Sequence, residues 1–434
     1  MKLFSTRDVN NKSIFKDAIF QGLAADGGLF FPESYPDMSE FIKNCHGMSF
    51  NAIAEHVVYE LIKDETSKES VKRIVNNAFN FKPEIMRVSD EISILELYTG
   101  PTCAFKDYGA SFLASSMEEF LGDRKEKAVI LAATSGDTGS AVAKAFEGKE
   151  NIEVVILYPS GKVSPLQEKQ LTTIGKNIKA LEVKGTFDDC QKMVKEAFGN
   201  ADLCSKVNIT SANSINIGRL VPQSLYYIYA YSQLKAGNEI IFTVPSGNFG
   251  NLTAGLFAKN WGLPVKQFIA ATNNNKIVPE FLTTGTYSPR ASVQTPSNAM
   301  DVGAPSNFER MMTMFDSNVD NFRNVLMGDF VSNEDTIKTM QRYYSERGQI
   351  LDPHTAVGIF ATERFLNNNK FDKNTYPIVL STAHPGKFVE VVEDAIKVSP
   401  KLPEALSSLL TKEKISTVIG NEYSELEKFL LSNY

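Results

Sequence analysis

The sequence contains few of the residues from which metal sites and disulfides are built. It has 434 residues but only four cysteines and four histidines, and no two cysteines form a C-x-x-C pair. This spacing argues against zinc sites and dithiol redox motifs, and the scattered histidines argue against a metal cluster. We therefore predict no metal ion, and reduced structural cysteines that are typical of a cytoplasmic protein.

Long hydrophobic runs and an excess of basic residues are also missing. No run of about 18 apolar residues occurs, so we predict no membrane span. The first residues lack the apolar segment of a secretory signal. The net charge is −6, whereas a nucleic-acid-binding protein needs a clustered basic surface. We expect neither a membrane nor a nucleic acid among the partners.

The length and the order of apolar segments predict several α/β domains. A chain of 434 residues is too long for one ordinary core. Beyond residue 90, apolar strands alternate with helical segments, which predicts open parallel sheets with helices on both faces and ligands at the carboxyl ends of the strands. We divide the chain into an N-terminal domain (1–92), a small α/β domain (93–236) and a large α/β domain (237–434). The predicted strands are 128–133, 152–158, 178–183, 207–210, 239–245, 267–272 and 376–380.

The segment from Gly100 to Gly109 places a lysine at the start of a predicted helix. Lys106 follows an apolar pair, and apolar residues then recur at helical spacing as far as Leu121. Partial burial lowers the pKa of a lysine and leaves a neutral amine, which can form a Schiff base with a carbonyl cofactor. Most lysines in such positions are solvated, so this segment alone leaves both interpretations open.

A glycine-rich turn follows the predicted strand 239–245 and precedes a helical segment at 252–260. Its two glycines let the backbone approach a ligand, and a helix N-terminus adds partial positive charge, so the turn is a candidate phosphate site. It is neither a Walker A loop nor a G-x-G-x-x-G fingerprint, and an ordinary strand–helix turn is the alternative. Its candidate binding residues are Gly247, Asn248, Phe249, Gly250 and Asn251.

Three further polar segments follow predicted strands. The segment 134–139 offers hydroxyl and N–H groups for an anion, although helix capping explains the same residues. The segment 213–219 ends in an arginine that could pair with an anion or lie on the surface. The segment 381–388 offers a ligand-binding hydroxyl, and we interpret its histidine, His384, as structural. The candidates are Thr134, Ser135, Asp137 and Thr138, then Asn213, Ser214 and Arg219, and finally Thr382.

Together these segments resemble the threonine synthases, a family of the tryptophan-synthase-β-like (fold type II) pyridoxal-phosphate enzymes. The resemblance covers essentially the whole chain, and Q-G-L-A-A-D-G-G-L-F-F-P at 21–32 is similar to the N-terminal signature of the longer bacterial and fungal type. It implies two open parallel-sheet α/β domains plus an N-terminal domain, with pyridoxal 5′-phosphate as cofactor. Lys106 in the small domain would be the Schiff-base residue, and 247–251 in the large domain the phosphate loop.

The resemblance also implies roles for the remaining candidates. Thr382 would face the pyridine nitrogen, while 134–138 and 213–219 would hold the substrate's carboxylate and phosphate. Asp137 stands where shorter family members carry an asparagine that faces the cofactor's 3′-oxygen, and the longer type resembles this chain in having aspartate. Whether Asp137 touches the cofactor or only caps its helix is left open.

The implied reaction converts O-phospho-L-homoserine and water to L-threonine and phosphate, by γ-elimination and then β-addition of water. Lys106 would move the protons, and we expect the segment that bears Arg219 to close over the substrate. A serine/threonine dehydratase, a cysteine-synthase-like enzyme, a phospholyase and a non-catalytic phosphate- or cofactor-binding relative stay open as alternatives. The longer type implies a monomer or weak homo-oligomer.

Overall fold

The computed structural model describes residues 1–122, 127–134, 136–369 and 374–434. It begins with a small antiparallel sheet, in which β1 pairs with both β2 and β3. The sequence analysis did not predict this sheet, because its strands are only three or four residues long. The elements are β1 (Lys2–Ser5), β2 (Lys12–Ile14), α1 (Phe15–Gln21), β3 (Phe30–Pro32), α2 (Ser39–Asn44), α3 (Phe50–Ile62) and α4 (Lys68–Ala78).

The middle of the chain alternates strands with helices. Its strand β6 is buried along its whole length, as expected for a strand covered on both faces. The elements are β4 (Glu84–Arg87), β5 (Ser93–Glu96), α5 (Lys106–Leu121), β6 (Ala128–Ala133), α6 (Asp137–Phe146), β7 (Ile152–Pro159), α7 (Pro165–Thr172), β8 (Ile178–Val183), α8 (Phe187–Gly199), α9 (Ala201–Lys206), β9 (Ile209–Thr210), α10 (Ile217–Leu220) and α11 (Ser224–Ser232).

The remaining third repeats the alternation around a second set of buried strands. Short 3-10 turns at 298–300 and 385–387 lie beside the carboxyl ends of these strands. The elements are β10 (Glu239–Pro245), α12 (Gly250–Asn260), β11 (Val265–Thr272), α13 (Ile277–Thr284), α14 (Phe308–Met314), α15 (Val319–Arg323), β12 (Leu326–Phe330), α16 (Asn333–Arg347), α17 (Pro353–Asn368), β13 (Thr375–Ser381), α18 (Val389–Ile396), α19 (Glu404–Ser407), β14 (Thr417–Ile419) and α20 (Tyr423–Asn433).

Two open sheets organise the α/β part of the chain. The larger sheet has the strand order β12-β11-β10-β13-β5-β4, and all its neighbours are parallel except β4 and β5. The smaller sheet has the order β14-β8-β7-β6-β9 and is parallel throughout. The prediction of two open parallel-sheet domains plus an N-terminal domain is confirmed, and the apolar runs at 128–133, 178–183 and 239–245 are strands with those bounds.

Each of the two sheets includes one strand from the part of the chain that was assigned to the other domain. Strand β5, at the start of the proposed small domain, pairs with β13 of the larger sheet. Strand β14, near the end of the proposed large domain, pairs with β8 of the smaller sheet. The division into 93–236 and 237–434 therefore stays a proposal. Residues 93–96 and 417–419 depart from it, because each of these short strands extends the sheet of the neighbouring domain.

Candidate active site

The segment that carries Lys106 is bound to the end of strand β13. The backbone N–H of Phe105 donates to the carbonyl of Thr382 over 2.9 Å, and His384 N–H donates to the carbonyl of Cys103 over 3.1 Å. Lys106 itself is the first residue of helix α5. Residues from two distant parts of the chain, the lysine and Thr382, are thereby brought to one place, as the sequence analysis predicted for a shared site.

Asp107 shapes the turn that precedes this helix. Its carboxylate accepts hydrogen bonds from the backbone N–H of Thr102 at 2.8 Å and from the Thr102 hydroxyl at 2.6 Å. A Cβ on Gly100 would lie only 2.5 Å from Asp107 Oδ2, so only glycine fits there. Burial raises the pKa of Asp107 to about 6, against the opposing effect of the two bonds from Thr102. Asp107 therefore has a structural role.

The Lys106 amine lies in a setting that favours its neutral form. Its side chain is 20% exposed, and Nζ lies 4.0 Å from Asp137 Oδ2. Burial lowers the pKa of Lys106, and although Asp137 opposes this effect, the charges of Arg219 and Lys387 add to it. A lysine that must attack a carbonyl group needs this neutral form.

Asp137 is an ion-pair partner and does not cap its helix. It is the first residue of α6, and its carboxylate accepts no hydrogen bond from a backbone N–H of the described chain. Its Oδ1 accepts from Lys387 Nζ at 2.9 Å and from Gln167 Nε2 at 3.2 Å. Burial opposes its ionisation, but the ammonium groups of Lys387 and Lys106 outweigh burial and hold the pKa of Asp137 well below its usual range. Asp137 is therefore a carboxylate beside Lys106.

Two other residues of this segment, Thr134 and Thr138, use their hydroxyl groups differently. Thr134 Oγ1 accepts from the N–H groups of Gly136 at 3.1 Å and Gly139 at 3.0 Å, so its hydroxyl shapes the turn before α6. Thr138 is half-buried, and its hydroxyl bonds no residue in the described part of the chain. The candidate Ser135 lies outside the described residues.

The turn between β10 and α12 has the features of a phosphate site. Within the described chain, the backbone N–H groups of Gly247, Asn248 and Phe249 donate to no residue. They precede a helix of 11 residues, whose N-terminus attracts anions. A Cβ on Gly247 would lie 2.7 Å from Met300 Cα, and Phe249 has a φ of 60°, which L-residues adopt rarely. The backbone is thus held in an open cradle.

Asn251 belongs to the wall behind this turn. Its Oδ1 accepts from the hydroxyls of Tyr226 at 2.6 Å and Tyr227 at 2.7 Å, which fixes α12 against α11. Its buried Nδ2 has no partner among the described residues. Gly250 lies beside Asn307, whose Nδ2 would be 3.2 Å from an added Cβ. These contacts fix the start of α12 directly behind the turn in sequence.

Ser214 and Asn248 bring the second predicted segment against the cradle. Asn248 Nδ2 donates to Ser214 Oγ at 2.6 Å, while Asn248 Oδ1 accepts from the N–H of Ser306 at 2.6 Å. The carbonyl of Asn213 accepts from Asn216 N–H at 3.0 Å and its N–H donates to Ser211 Oγ at 3.3 Å, while its side-chain amide bonds no other described residue. Segments that are distant in the sequence thus share one wall.

Arg219 is a buried cation, and one of its N–H donors has no partner among the described residues. Its Nη1 donates to the carbonyl of Ala212 at 2.8 Å, but its buried Nε has no partner among the described residues. Burial lowers the pKa of Arg219 to about 10. A Cβ on Gly109 would lie 2.6 Å from the Arg219 carbonyl, so the arginine packs directly against helix α5. A buried guanidinium that no carboxylate of the described residues binds is suited to hold an anionic ligand.

Thr382 is buried, and its hydroxyl bonds no residue in the described ranges. Its carbonyl is used in the bridge to Phe105, so the hydroxyl is the group left for a ligand. His384 Nδ1 accepts from Gly386 N–H at 3.0 Å, in agreement with a structural role. Burial lowers the pKa of His384.

Lys387 is a residue of this site that the sequence analysis missed. Its side chain is fully buried and its Nζ also donates to the carbonyl of Thr102 at 2.8 Å and to Gln170 Oε1 at 3.1 Å. The sequence shows only one more lysine after a strand, three residues beyond His384. The residues that bind its ammonium group come from other segments of the chain, so no local sequence pattern could have predicted this role.

These groups fit pyridoxal 5′-phosphate. A lysine with a lowered pKa suits an aldehyde, free N–H groups at a helix N-terminus suit a phosphate, and the Thr382 hydroxyl suits a ring nitrogen. Within the described residues, no group of three His, Cys, Asp or Glu side chains could hold a metal ion. Likewise, none of the described helices has the length and apolar character to cross a membrane.

Comparison with protein families gives three matches. A model described as "Pyridoxal-phosphate dependent enzyme" matches residues 88–382. Two others, "Threonine synthase N terminus" and "Threonine synthase, C-terminal", match residues 2–79 and 355–430. Together they leave few residues of the chain unmatched, and the first includes Lys106, the phosphate cradle and Thr382.

Individual relatives agree with these models along the whole chain. A threonine synthase from Serratia marcescens is 43% identical and covers 99% of both chains, and one from Escherichia coli is 40% identical over 100% of both. The crystal structure of a threonine synthase from Brucella melitensis with bound pyridoxal phosphate has a TM-score of 0.93, with 35% identity over 99% of this chain and 98% of that one. A maize serine racemase shares the fold at a TM-score of 0.56, with 14% identity over 73% of this chain and 91% of that one.

Proposed function

The chain belongs to the threonine synthase family of pyridoxal-phosphate-dependent enzymes and has that family's activity, and we propose that it converts O-phospho-L-homoserine and water to L-threonine and phosphate. In this reaction the phosphate group leaves Cγ of the substrate and water adds at Cβ. The observation that carries the proposal is the convergence of Lys106, the cradle 247–251 and the buried Arg219 in a chain related to threonine synthases over its full length.

Lys106 is proposed as the catalytic residue. When bound, pyridoxal phosphate supplies an aldehyde and an electron sink for negative charge on the substrate carbons. Lys106 would hold the cofactor at rest, and as a free amine it would move protons at the substrate's Cα and Cβ. Its lowered pKa supports both roles, because each requires an amine that exchanges a proton near neutral pH.

The cofactor's two polar ends have separate candidates in the chain. The free N–H groups of 247–249 would bind its phosphate, with Gly250 and Asn251 supporting the cradle. Thr382 would face the ring nitrogen. A hydroxyl there would leave that nitrogen largely uncharged, which suits elimination and replacement better than transamination.

The substrate carries two anionic groups beyond those of the cofactor. Arg219 offers an unpartnered Nε, and Ser214 and Asn213 lie on the same segment. Thr138 offers a free hydroxyl at the start of α6, where Thr134 and Ser135 precede it in the chain. We propose that these two segments bind the phosphate and the carboxylate, and that the segment bearing Arg219 moves inward to exclude water until it is needed.

The proposed partner is this small molecule alone. We propose a cytoplasmic enzyme that acts without a nucleic acid or a membrane, as a monomer or a weak homo-oligomer. The net charge of −6 supports the proposal that no nucleic acid is bound, since no excess of basic residues is present to bind the phosphates of such a polymer.

The test is an assay of phosphate and threonine from O-phospho-L-homoserine, with and without added pyridoxal phosphate. Equal amounts of both products are expected from the wild type. Lys106→Ala should abolish them, whereas Lys144→Ala, an exposed lysine on α6, should leave them unchanged. Borohydride should fix the cofactor onto the peptide that contains Lys106 in the wild type only.

The alternative enzymes give different products in the same assay. Phosphate and ammonia without threonine would identify a phospholyase, and ammonia from threonine itself would identify a dehydratase. A protein that binds the cofactor without turnover would be a non-catalytic relative. A Lys106→Ala variant that makes threonine at the wild-type rate would refute the proposed mechanism.

A further inference from the structure

Lys387 joins three segments of the molecule through one buried ammonium group. Its Nζ lies 2.9 Å from Asp137 at the start of α6, 2.8 Å from the carbonyl of Thr102 in the turn before α5 and 3.1 Å from Gln170 on α7. The lysine itself follows β13 of the larger sheet, whereas α6 and α7 follow strands of the smaller one. These three acceptors match the three hydrogens of an ammonium group, so the side chain is fixed and fully bonded.

The two lysines compete for one carboxylate. Asp137 Oδ1 bonds Lys387 at 2.9 Å, while Asp137 Oδ2 lies 4.0 Å from Lys106. The closer ammonium is fully buried and the more distant one is partly exposed. Coulomb attraction grows as distance and solvent exposure fall, so the pair formed by Asp137 and Lys387 is the stronger one.

Two further groups act on the pair, and one of them, Arg219, lowers the pKa of Lys106 more than Lys387 does. Lys106 also faces the charge of Arg219, and Asp137 also faces His354. Lys387 acts on Asp107, at the start of α5, and on the Cys103 thiol, in the turn before α5. No carboxylate other than Asp137 forms an ion pair with Lys106 or Lys387 among the described residues.

The ion pair between Lys387 and Asp137 counteracts the effect of Asp137 on the protonation of Lys106. An isolated carboxylate 4 Å from Lys106 would hold that amine protonated, and a protonated amine cannot take up an aldehyde. Once Lys387 pairs with Asp137, its positive charge offsets part of the negative charge that Lys106 faces. The carboxylate can then accept hydrogen bonds and orient groups near Lys106 without fixing a proton there.

We propose that Lys387 is a positioning residue of this enzyme, whose ion pair with Asp137 keeps the Lys106 amine available in its neutral form for the cofactor. The proposal rests on the proposed function for its purpose. The protonation of Lys106, however, can be measured whether or not the enzyme makes threonine.

The primary test measures the pKa of Lys106 directly. The full-length chain is freed of cofactor with hydroxylamine and labelled with acetic anhydride at a series of pH values, and mass spectrometry quantifies the Lys106 and Lys144 peptides. Lys387→Met should shift the midpoint of Lys106 labelling upward by about 1–3 pH units, because Asp137 then pairs with Lys106 alone. The Lys144 midpoint should not move.

A second substitution separates charge from structure. Asp137→Asn in the Lys387→Met background should return the Lys106 midpoint to the wild-type value or below it. Asp137→Asn alone should shift it downward, since the unpaired Lys387 then repels a charge on Lys106. If Lys387 only held the segments together, Asp137→Asn would not reverse the effect of Lys387→Met, and this result would overturn the proposal.

The holoenzyme gives an independent measurement. Near neutral pH, the visible absorbance of covalently held cofactor should be lower in Lys387→Met and should recover in the double variant. If Lys387→Met does not fold, the Asp137→Asn variant still decides, since an unchanged Lys106 midpoint in that variant would refute the charge coupling. Failure of the threonine assay with normal labelling shifts would refute the proposed function and leave this inference standing.

Discussion

The side-chain amide of Asn248 donates to the hydroxyl of Ser214 over 2.6 Å, and this bond joins the phosphate cradle to the segment that ends in Arg219. The other end of the Asn248 amide is held by the N–H of Ser306 at 2.6 Å. Asn248 therefore cannot turn away without losing two bonds. The cofactor's proposed site and the substrate's proposed site share this contact, so occupation of one should stabilise the other.

Ser214→Ala should weaken both sites. The substitution removes the acceptor of Asn248 Nδ2 and leaves that group without its partner, which costs about 1–3 kcal/mol. We expect the affinity for pyridoxal phosphate to fall roughly tenfold and KM for O-phospho-L-homoserine to rise. Absorbance titration with the cofactor and steady-state kinetics measure the two effects. Ser205→Ala, at an exposed position of α9, is the control, and equal behaviour of the two variants would contradict the prediction.

Arg219→Ala should impair the use of substrate far more than the retention of cofactor. The Nε of Arg219 has no partner among the described residues, and a charged hydrogen bond to a bound anion is worth about 1.5–3 kcal/mol. We expect kcat/KM for O-phospho-L-homoserine to fall roughly 10- to 100-fold, with cofactor content unchanged. The exposed Arg323 supplies the control substitution Arg323→Ala. Parallel losses of cofactor and activity would show instead that Arg219 only supports the fold.

Gly247→Ala should disrupt the phosphate cradle. An added Cβ would lie 2.7 Å from Met300 Cα, and backbone atoms cannot yield as a flexible side chain can. We expect the protein to be less stable by about 1–3 kcal/mol, as for other overpacked positions, and to bind the cofactor weakly. Gly199→Ala is the matched control, because a Cβ there meets nothing within 4 Å. Thermal unfolding and cofactor titration compare the variants, and a Gly247→Ala protein that binds the cofactor normally would refute the close approach.

The sequence was sufficient to predict the strands that are buried on both faces. Strands β6 and β10 have the predicted bounds because a continuous apolar run is favoured where both faces of a sheet are covered. The candidate residues after those strands were also found, because the carboxyl ends of parallel strands lie at one edge of a sheet. Local chemistry therefore predicted where the site lies.

Long-range pairing was not predictable in the same way. Strand β14 has three residues, two of them exposed, and only its partner β8 makes it a strand. The role of Lys387 was not predicted for the same physical reason. Its ammonium group binds Asp137, Thr102 and Gln170, none of which is close to it in the sequence. Helix capping was one of the two roles left open for Asp137, but its carboxylate instead faces two lysines from other segments.

The buried Asp107 should give the protein a pH dependence of stability that is opposite to that of most carboxylates. Burial raises its pKa from 3.8 to about 6, so the folded chain binds a proton that the unfolded chain has already released between these pH values. The free energy of unfolding should therefore fall as the pH rises from about 4 to about 6, by a contribution on the order of 3 kcal/mol from this group. Below pH 4 and above pH 6 its contribution should be constant.

Asp107→Asn isolates this contribution, because asparagine does not titrate. The difference in unfolding free energy between the wild type and Asp107→Asn, measured with urea from pH 4 to pH 7, should become less favourable to the wild type as the pH rises. The exposed Asp202 provides the control substitution Asp202→Asn, which should leave the pH profile parallel to that of the wild type. A wild-type profile parallel to that of Asp107→Asn would show that Asp107 ionises as readily in the folded chain as in the unfolded one. In that case the two hydrogen bonds from Thr102 would offset the whole cost of burying its charge.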